Sequence, residues 1–502
     1  MKLSKVLEGS GLRRTGPDPD ITALVNDSRQ VSPGALFFAL PGARTDGANF
    51  LRQALEKGAA AAVCAAEPPT ELRAAFPSAI LLRAETPFDA LSRAASNFYS
   101  RPSARLKIYG ITGTKGKTTT AYLLESALKL AGRRPGVIGT INYRVDGRVL
   151  APAANTTPLP HTLQEMLSRM VSADALSAVL EVSSHALALG RVEDVDFDCA
   201  VFTNLQRDHL DFHKDREKYF LAKARLFDLL ERSQKGDKAA VINADDERSA
   251  WLLRRLKGKL RTLTFALEEK ADVYAEGMQI LHDRTVFTLK TPLGEVPVRL
   301  NLLGRHNVYN ALAAAAAALA GGLDPRAAAA GLEALTNVPG RLERVEAGQD
   351  FTVFVDYAHT DAALESVLSN LGLMPHGRII TVFGCGGDRD RTKRAPMGEV
   401  ACSLSDLAII TSDNPRGEDP LAIIDDIEKG VTDKYSNYEV IPDRGRAIEK
   451  AMQQARTGDI VLIAGKGHET YQILKDSAVH FSDGEAAAEA IKRKLAAVEG
   501  EK

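Results

Sequence analysis

Cysteine and tryptophan are scarce in this chain, four and one in 502 residues. Cys64, Cys199, Cys385 and Cys402 stand far apart and form no Cys-x-x-Cys or Cys/His spacing, which excludes a disulfide framework and a structural zinc site and leaves reduced thiols as the default. An excess of one charge is missing too. Lys and Arg total 64 against 65 Asp and Glu, a net charge of −1, which argues against binding nucleic acid or an acidic membrane by electrostatics. Long hydrophobic runs are absent: residues 311–323 are mostly alanine and too few to span a bilayer, and the opening MKLSKVLEGSGLRR lacks the apolar core of an export signal. The expectation is a cytoplasmic protein with no membrane insertion and no nucleic-acid partner.

What is present is ordinary globular composition, 45% apolar and 26% charged, long enough for about three domains. Residues 1–102 mix short apolar runs at 35–40 and 59–65 with turn clusters, as a small α/β domain does. Residues 103–336 alternate apolar runs at 106–111, 178–182, 199–203 and 239–242 with helical patterns, the signature of a mostly parallel sheet; alanine-rich helices are expected at 311–320 and 327–335. Residues 337–502 repeat the alternation, with strands expected at 351–355, 379–383, 407–411 and 460–464 and helices at 361–371, 420–429 and 444–456. That pattern predicts a Rossmann-like, doubly wound domain, whose ligands bind outside the carboxyl ends of its strands.

The 106–111 strand runs into Thr112, Gly113, Thr114, Lys115, Gly116, Lys117, Thr118, Thr119 and Thr120 and then into a helical pattern. Glycines let backbone N–H groups approach a phosphate, a helix N-terminus adds positive character, Lys117 reaches the β and γ phosphates, and Thr118 can hold Mg2+. Ile111 stands where the full GxxxxGK[ST] motif has glycine, so this is a shortened GxxGKT loop of P-loop ATPase type, favouring ATP over a dinucleotide. Glu181 ends the 178–182 run, where a carboxylate would face that loop as a magnesium ligand. Ser183, Ser184 and His185 follow it, and the next strand ends in Asn204, Arg207, Asp208, His209 and Asp211. Lys223, among Tyr219, Phe220, Leu226 and Phe227 on an expected helix, reads as a snorkelling surface lysine.

Taken together, GTKGKTTT, NTTP, EVSSH, FTNLQRDHLDFH, YFLAKARLF, GRHNVYNALAA, GRLERV, VDYAHT, FGCGGDRD, SDNPRGEDP and AGKGHE, with DSRQVSPGALFFALPG near the start, resemble the Mur ligases over nearly the whole chain. Within that family they are most similar to the branch that adds the third residue of the peptidoglycan stem peptide. The resemblance implies an ATP-dependent amide ligase whose three domains take the uridine nucleotide, ATP and the incoming amino acid. Its substrates would be UDP-N-acetylmuramoyl-L-alanyl-D-glutamate and meso-2,6-diaminopimelate, joined through an acyl phosphate, with Mg2+ present; the chain is expected to act as a monomer. A carboxylate is a poor electrophile, so phosphorylation supplies the leaving group, and catalysis then consists largely of aligning two anions and neutralising their repulsion.

Carried over position by position, the resemblance implies that Lys117 and Arg341 neutralise charge, that Lys223 bears a CO2-derived carbamate, and that Thr118, Glu181, His209 and Lys223 form the metal site. Gly113, Thr114, Lys115, Gly116, Lys117, Thr118, Thr119, Asn307, Arg341 and Asp356 would serve ATP. Asn155, Thr156, Thr157, Ser183 and Arg191 would hold the muramoyl peptide, and Ser28, Ala43, Arg44 and Thr45 its uridine diphosphate end. Lys115 stands where asparagine is commoner in the family, and Leu189 where glutamine often contacts the sugar peptide.

In the third domain Arg389, the run Asp413, Asn414, Pro415 and Arg416, and the pair Gly465 and Glu469 each follow an apolar strand. Two arginines for a distant carboxylate and a glutamate for an ammonium suit a substrate with a second amino-acid head, and they match the family's diaminopimelate motif. The alternatives are the same ligation with L-lysine, a folylpolyglutamate synthase, which should lack the first domain, and a P-loop switch or motor whose hydrolysis needs no amino acid. A catalytically dead nucleotide-binding regulator is disfavoured by the intact Lys117, Thr118, Glu181 and His209.

Overall fold

Short runs of alanine, valine, isoleucine and phenylalanine, each cut off by turn residues, become buried parallel strands in three sheets. The computed structural model describes residues 1–500 except 15, 43, 44, 282 and 476. They form two units, Met1–Glu276 with Thr288–Val298 and Tyr309–Ala334, and Gly277–Phe287 with Arg299–Val308 and the chain from Leu335 on.

The first unit begins with a parallel sheet of β1 (Ala23–Val25), β2 (Ala35–Ala39), β3 (Ala61–Cys64) and β4 (Ile80–Arg83) in chain order. Alternation along β2 sends Leu36 and Phe38 to one face, against Ala90, Leu91, Ala94 and Ala95 of helix Pro87–Phe98. Ala35, Phe37 and Ala39 go to the other face, against helix Leu51–Glu56.

The second sheet of this unit contains β5 (Lys107–Thr112), β6 (Pro135–Ile138), β7 (Asn142–Val145), β8 (Arg148–Pro152), β9 (Ser177–Glu181), β10 (Cys199–Phe202), β11 (Ala239–Asn243) and β12 (Arg261–Ala266). Their spatial order is β12-β11-β10-β5-β9-β6-β7-β8, parallel from β12 to β6 and antiparallel beyond; β13 (Val273–Ile280), β14 (Thr285–Thr291) and β15 (Gly294–Leu300) come next in the chain, and β13 pairs in parallel with β12 through Val273 and Tyr274. From β5 the chain first builds outward on the β9 side and then on the β10 side. That reversal makes the carboxyl ends of β9, β5 and β10 a topological switch point, the place where open α/β sheets bind ligands.

The second unit holds a six-stranded sheet of β16 (Glu343–Arg344), β17 (Thr352–Asp356), β18 (Ile379–Phe383), β19 (Leu407–Ile410), β20 (Tyr438–Val440) and β21 (Ile460–Ala464), in the order β16-β17-β21-β18-β19-β20, parallel except at β16. Helices Asp361–Gly372, Arg394–Ser403 and Pro420–Glu428 cover one face, and Arg444–Gln454 with Asp483–Gly500 the other, so the sheet is doubly wound. Arg444 and Asp483, both with fully buried side chains, meet through two 2.7 Å bonds and tie the last two helices together. A hairpin of β22 (Tyr471–Leu474) and β23 (Ser477–His480) follows β21. Among the described residues no helix is long and apolar enough to cross a membrane.

Candidate active site

β5 ends at Thr112, and helix Lys117–Leu130 starts four residues beyond Gly113. Gly116 adopts φ +86°, and a Cβ there would lie 2.3 Å from Asn310 Oδ1; a Cβ on Gly113 would lie 1.9 Å from Thr203 Oγ1. The loop therefore closes only with glycine at both places. Residues after β10 hold it from outside: Thr114 N–H donates to the Asn204 carbonyl at 2.9 Å, Lys115 N–H donates to Asn204 Oδ1 at 3.0 Å, and Thr203 Oγ1 donates to the Lys115 carbonyl at 2.7 Å. Lys117 Nζ donates to the carbonyls of Gly113 and Thr114, at 2.8 and 3.0 Å. Thr118 and Thr119 are buried in the first helical turn.

Glu181, 1% exposed at the end of β9, joins that loop to the neighbouring strand ends. Its Oε2 accepts from Thr118 Oγ1 at 2.8 Å and from Thr140 Oγ1 at 3.0 Å, and its Oε1 accepts from Thr140 N–H at 3.0 Å. Its main-chain carbonyl accepts from Thr157 Oγ1 at 2.8 Å, and Ser183 N–H donates to that same hydroxyl at 3.0 Å. Arg191 donates through Nη1 to the Thr157 carbonyl at 2.9 Å, while its Nε is buried without a partner; burial lowers the basicity of this guanidinium. Thr156 Oγ1 lies 3.1 Å from Thr140 Oγ1, Ser183 caps helix Ser184–Ala188, and Asn155 is exposed with its carbonyl accepting from the Tyr143 hydroxyl.

Lys223 is not a surface lysine: it is 1% exposed on helix Arg216–Arg232, its Nζ 4.3 Å from the centre of the Tyr219 ring. Burial, reinforced by the charge of Lys117, holds its amine well below the ordinary lysine range, with Asp208 opposing. The Tyr219 hydroxyl in turn lies 3.1 Å from Thr114 Oγ1, which brings this helix against the phosphate loop. His209, at φ +52°, packs edge-on to His185 with ring centres 4.8 Å apart and lies 6.2 Å from the Tyr219 ring. Among the described residues no three His, Cys, Asp or Glu side chains converge as a metal centre.

Of the residues expected at the uridine diphosphate end, Ser28 is buried and donates through Oγ to Gln53 Oε1 at 2.6 Å, and Thr45 is exposed; Ala43 and Arg44 lie outside the described residues.

In the second unit Asn307 donates to the Leu303 carbonyl at 2.9 Å, and Asp356, at the end of β17, accepts from the backbone N–H groups of Leu342 and Ala358 at 2.7 and 2.8 Å. Arg341 lies over Tyr357 at 5.1 Å, with its Nε buried and unpartnered. The loops after β18, β19 and β21 share one sheet edge. Arg389 is exposed on the first, and Arg416 on the second donates to the Gly387 carbonyl of the first at 2.9 Å. Pro415 crosses so close that a Cβ on Gly387 would sit 1.9 Å from its carbonyl oxygen, and one on Gly465 would sit 2.8 Å from Asp413 Oδ2. Asn414 donates to Glu469 Oε2 at 2.8 Å; burial raises the pKa of Glu469 above the ordinary glutamate value, with Lys466 opposing.

Three family models match the chain in order: the Mur ligase family catalytic domain at residues 20–99, the Mur ligase middle domain at 111–318, and the Mur ligase glutamate ligase domain at 340–467. A protein of Solibacter usitatus (strain Ellin6076), named UDP-N-acetylmuramoyl-L-alanyl-D-glutamate–2,6-diaminopimelate ligase, is 46% identical over 98% of both chains. The chain belongs to the Mur ligase family. A Bacillus velezensis (strain DSM 23117 / BGSC 10A6 / LMG 26770 / FZB42) protein of the same name is 45% identical over 98% of this Mur ligase and 99% of its own length. A solved structure bearing that name superimposes with a TM-score of 0.67 at 33% identity, over 95% of each chain.

Several groups that build this Mur ligase site do not stand out in its sequence. Thr140 bonds Glu181 twice, and the available signal was Gly139, where a Cβ would lie 2.2 Å from Glu181 Oε1. Tyr219 connects the phosphate loop to Lys223, and Asn310 presses on Gly116 from a helix about 190 residues away in the chain, contacts with no local signature. Lys466 lies inside the AGKGHE segment but is fully buried.

Proposed function

We propose that this Mur ligase uses ATP to join meso-2,6-diaminopimelate to UDP-N-acetylmuramoyl-L-alanyl-D-glutamate in peptidoglycan synthesis. The observation that carries the reading is the double use of Glu181. Its carboxylate takes the phosphate-loop hydroxyl of Thr118, while its own carbonyl takes Thr157 of the NTTP segment, so the groups assigned to phosphate and those assigned to the acceptor peptide meet at one strand end. That is the juxtaposition an acyl phosphate requires.

The γ-carboxylate of the D-glutamyl residue attacks the γ-phosphorus of ATP and ADP leaves. The free amine of diaminopimelate then adds to the acyl carbon, and the tetrahedral adduct collapses with loss of phosphate. Loop N–H groups from Gly113 to Thr119 and the Lys117 ammonium offset the charge of the transferring phosphoryl group, with Asn307, Arg341 and Asp356 assigned to the nucleotide side. Asn155, Thr156, Thr157, Ser183 and Arg191 hold the muramoyl peptide; the unpartnered Arg191 Nε–H is a donor suited to a carboxylate. Ser28, Ala43, Arg44 and Thr45 take the uridine diphosphate.

The hydroxyl of Thr118 and the carboxylate of Glu181 are hard oxygen donors that suit Mg2+, joined by His209 and a carbamate on Lys223, and the ion would supply charge neutralisation between the two reacting anions. Lys223 fits carbamate formation because only an unprotonated amine adds to CO2, and burial favours that form here. Arg389 and Arg416 pair with the distal carboxylate of diaminopimelate, Glu469 takes its distal ammonium, and Asp413, Asn414, Pro415 and Gly465 shape the wall. We assign residues 1–102, 103–336 and 337–502 as uridine-nucleotide, ATP and amino-acid domains of a monomer. Its four buried free cysteines suit the reducing cytoplasm. Neither folylpolyglutamate synthesis nor ligation of L-lysine is favoured.

The test is phosphate release from ATP with the uridine-nucleotide dipeptide and a panel of amino acids. Turnover should require the dipeptide and prefer meso-diaminopimelate. Release that ignores the amino acid overturns the ligase reading.

A further inference from the structure

Lys466 is 0% exposed, between β21 and the hairpin. A buried lysine amine needs partners that compensate for lost water. Its Nζ donates to the Tyr471 carbonyl at 2.5 Å and to Asn414 Oδ1 at 3.2 Å, and lies 3.5 Å from Glu469 Oε2. Asn414 completes the knot: its Nδ2 donates to that same Glu469 oxygen at 2.8 Å, and its Oδ1 also accepts from Ile473 N–H at 2.9 Å. Gln472 Nε2 donates to the Asp413 carbonyl at 2.7 Å, and Arg416 exchanges main-chain bonds with the hairpin through Ile473 and Lys475. One ammonium thus ties together the loop after β21, the loop after β19 and the hairpin.

We propose that Lys466 is a positioning residue of the amino-acid site, supplying the counter-charge that keeps Glu469 an anion and fixing the Glu469 and Asn414 side chains in one geometry. This rests on the assignment of Glu469 to the substrate ammonium. A carboxylate can pair with that ammonium only when ionised, and Glu469 sits where burial and the neighbouring Asp413 both favour its protonated form. Lys466 is the nearest opposing charge. The other groups facing this pair are Asp413, Tyr357, Tyr471, the buried Arg444 and Asp483. Arg444 bonds both Asp483 oxygens, which leaves Lys466 as the cation in direct contact with Glu469.

The experiment measures kcat and KM for diaminopimelate, ATP and the uridine-nucleotide dipeptide from acid to neutral pH in wild type, Lys466→Met and Lys466→Arg. In Lys466→Met the KM for diaminopimelate should rise about tenfold or more while those of the other two substrates stay within about twofold. The acid limb of kcat/KM for diaminopimelate should move up by roughly one to three pH units, the effect of removing an adjacent opposite charge. Lys466→Arg, which keeps the cation, should restore much of the limb. An unchanged limb and an unchanged diaminopimelate KM in Lys466→Met overturn the proposal, as does an equal loss on all three substrates. Should Lys466→Met not fold, Lys466→Gln is read the same way, and if neither folds the lysine is structural and the proposal fails. Wild type that makes no product with any amino acid would refute the ligase reading instead, a separate result.

Discussion

Substituting alanine at Gly116 tests whether the phosphate loop owes its shape to the close approach of Asn310. Two costs are separable there. A side chain at φ +86° is strained by roughly 1–2 kcal/mol, the usual penalty of the left-handed region. The new Cβ would also sit 2.3 Å from Asn310 Oδ1, well inside contact distance, and Asn310 is itself buried, so relief requires a shift that overpacking data place at about 1–3 kcal/mol. Gly116→Ala should therefore lose roughly 2–5 kcal/mol in urea unfolding of the first unit, and a loop displaced by about 1 Å should cost on the order of a hundredfold in kcat/KM for ATP. Adding Asn310→Ala removes the clashing atom but leaves the backbone strain. The double variant should be more stable than the sum of the singles predicts, with a coupling of about 1–3 kcal/mol. Strict additivity, or a Gly116→Ala protein within about 0.5 kcal/mol of wild type, would show that Asn310 does not constrain the loop.

Lys117→Ala should lower kcat by about a hundredfold or more with little change in thermal midpoint if, as proposed, the lysine contacts the transferring phosphoryl group; retention of most of the rate would remove the phosphate-loop assignment. Lys223→Ala should be far less active and partly rescued by a small added carboxylic acid, whereas wild-type turnover without additive would make the lysine purely structural. Arg416→Ala should narrow the ratio of kcat/KM for diaminopimelate over L-lysine, because on the proposed assignment a donor that lysine would leave unpaired is then gone; an unchanged ratio refutes that assignment. Asp483→Ala breaks a fully buried ion pair and should cost about 3–5 kcal/mol in denaturant unfolding of the second unit, and a much smaller loss would mean that Arg444 finds other partners.

The parts legible in the sequence were those with a local cause. Strands at 379–383 and 460–464 are uninterrupted apolar runs between turn residues, and the structure has them at those residues. The strand, glycines and helix of the phosphate loop announce themselves because each needs its own residue type. The hairpins at β6 to β8 did not, since PGVIGTINYRVDGRVLAP mixes glycine, arginine and asparagine and its pairing is set by β9 alongside. Lys223 gave no local sign of its burial: its helix carries charges on several sides, and the loop that Tyr219 brings beside it lies about 105 residues earlier in the chain. The ends of Glu181, Glu469 and Asn414 could be named from their positions after strands, but which threonine or lysine meets each of them is decided by tertiary packing.

The hairpin beside Arg416 is attached through the main chain, with Arg416 N–H donating to the Ile473 carbonyl and Lys475 N–H donating to the Arg416 carbonyl. Such bonds are indifferent to side-chain identity. Leu474 and Val479, on one face of the hairpin, keep about two-fifths of their surface free. The ligase can therefore change those side chains without losing the main-chain anchor at Arg416. This corner of the fold is open to gradual change by point mutation, while the loop after β5, where a single added methyl group collides with its neighbours, is not.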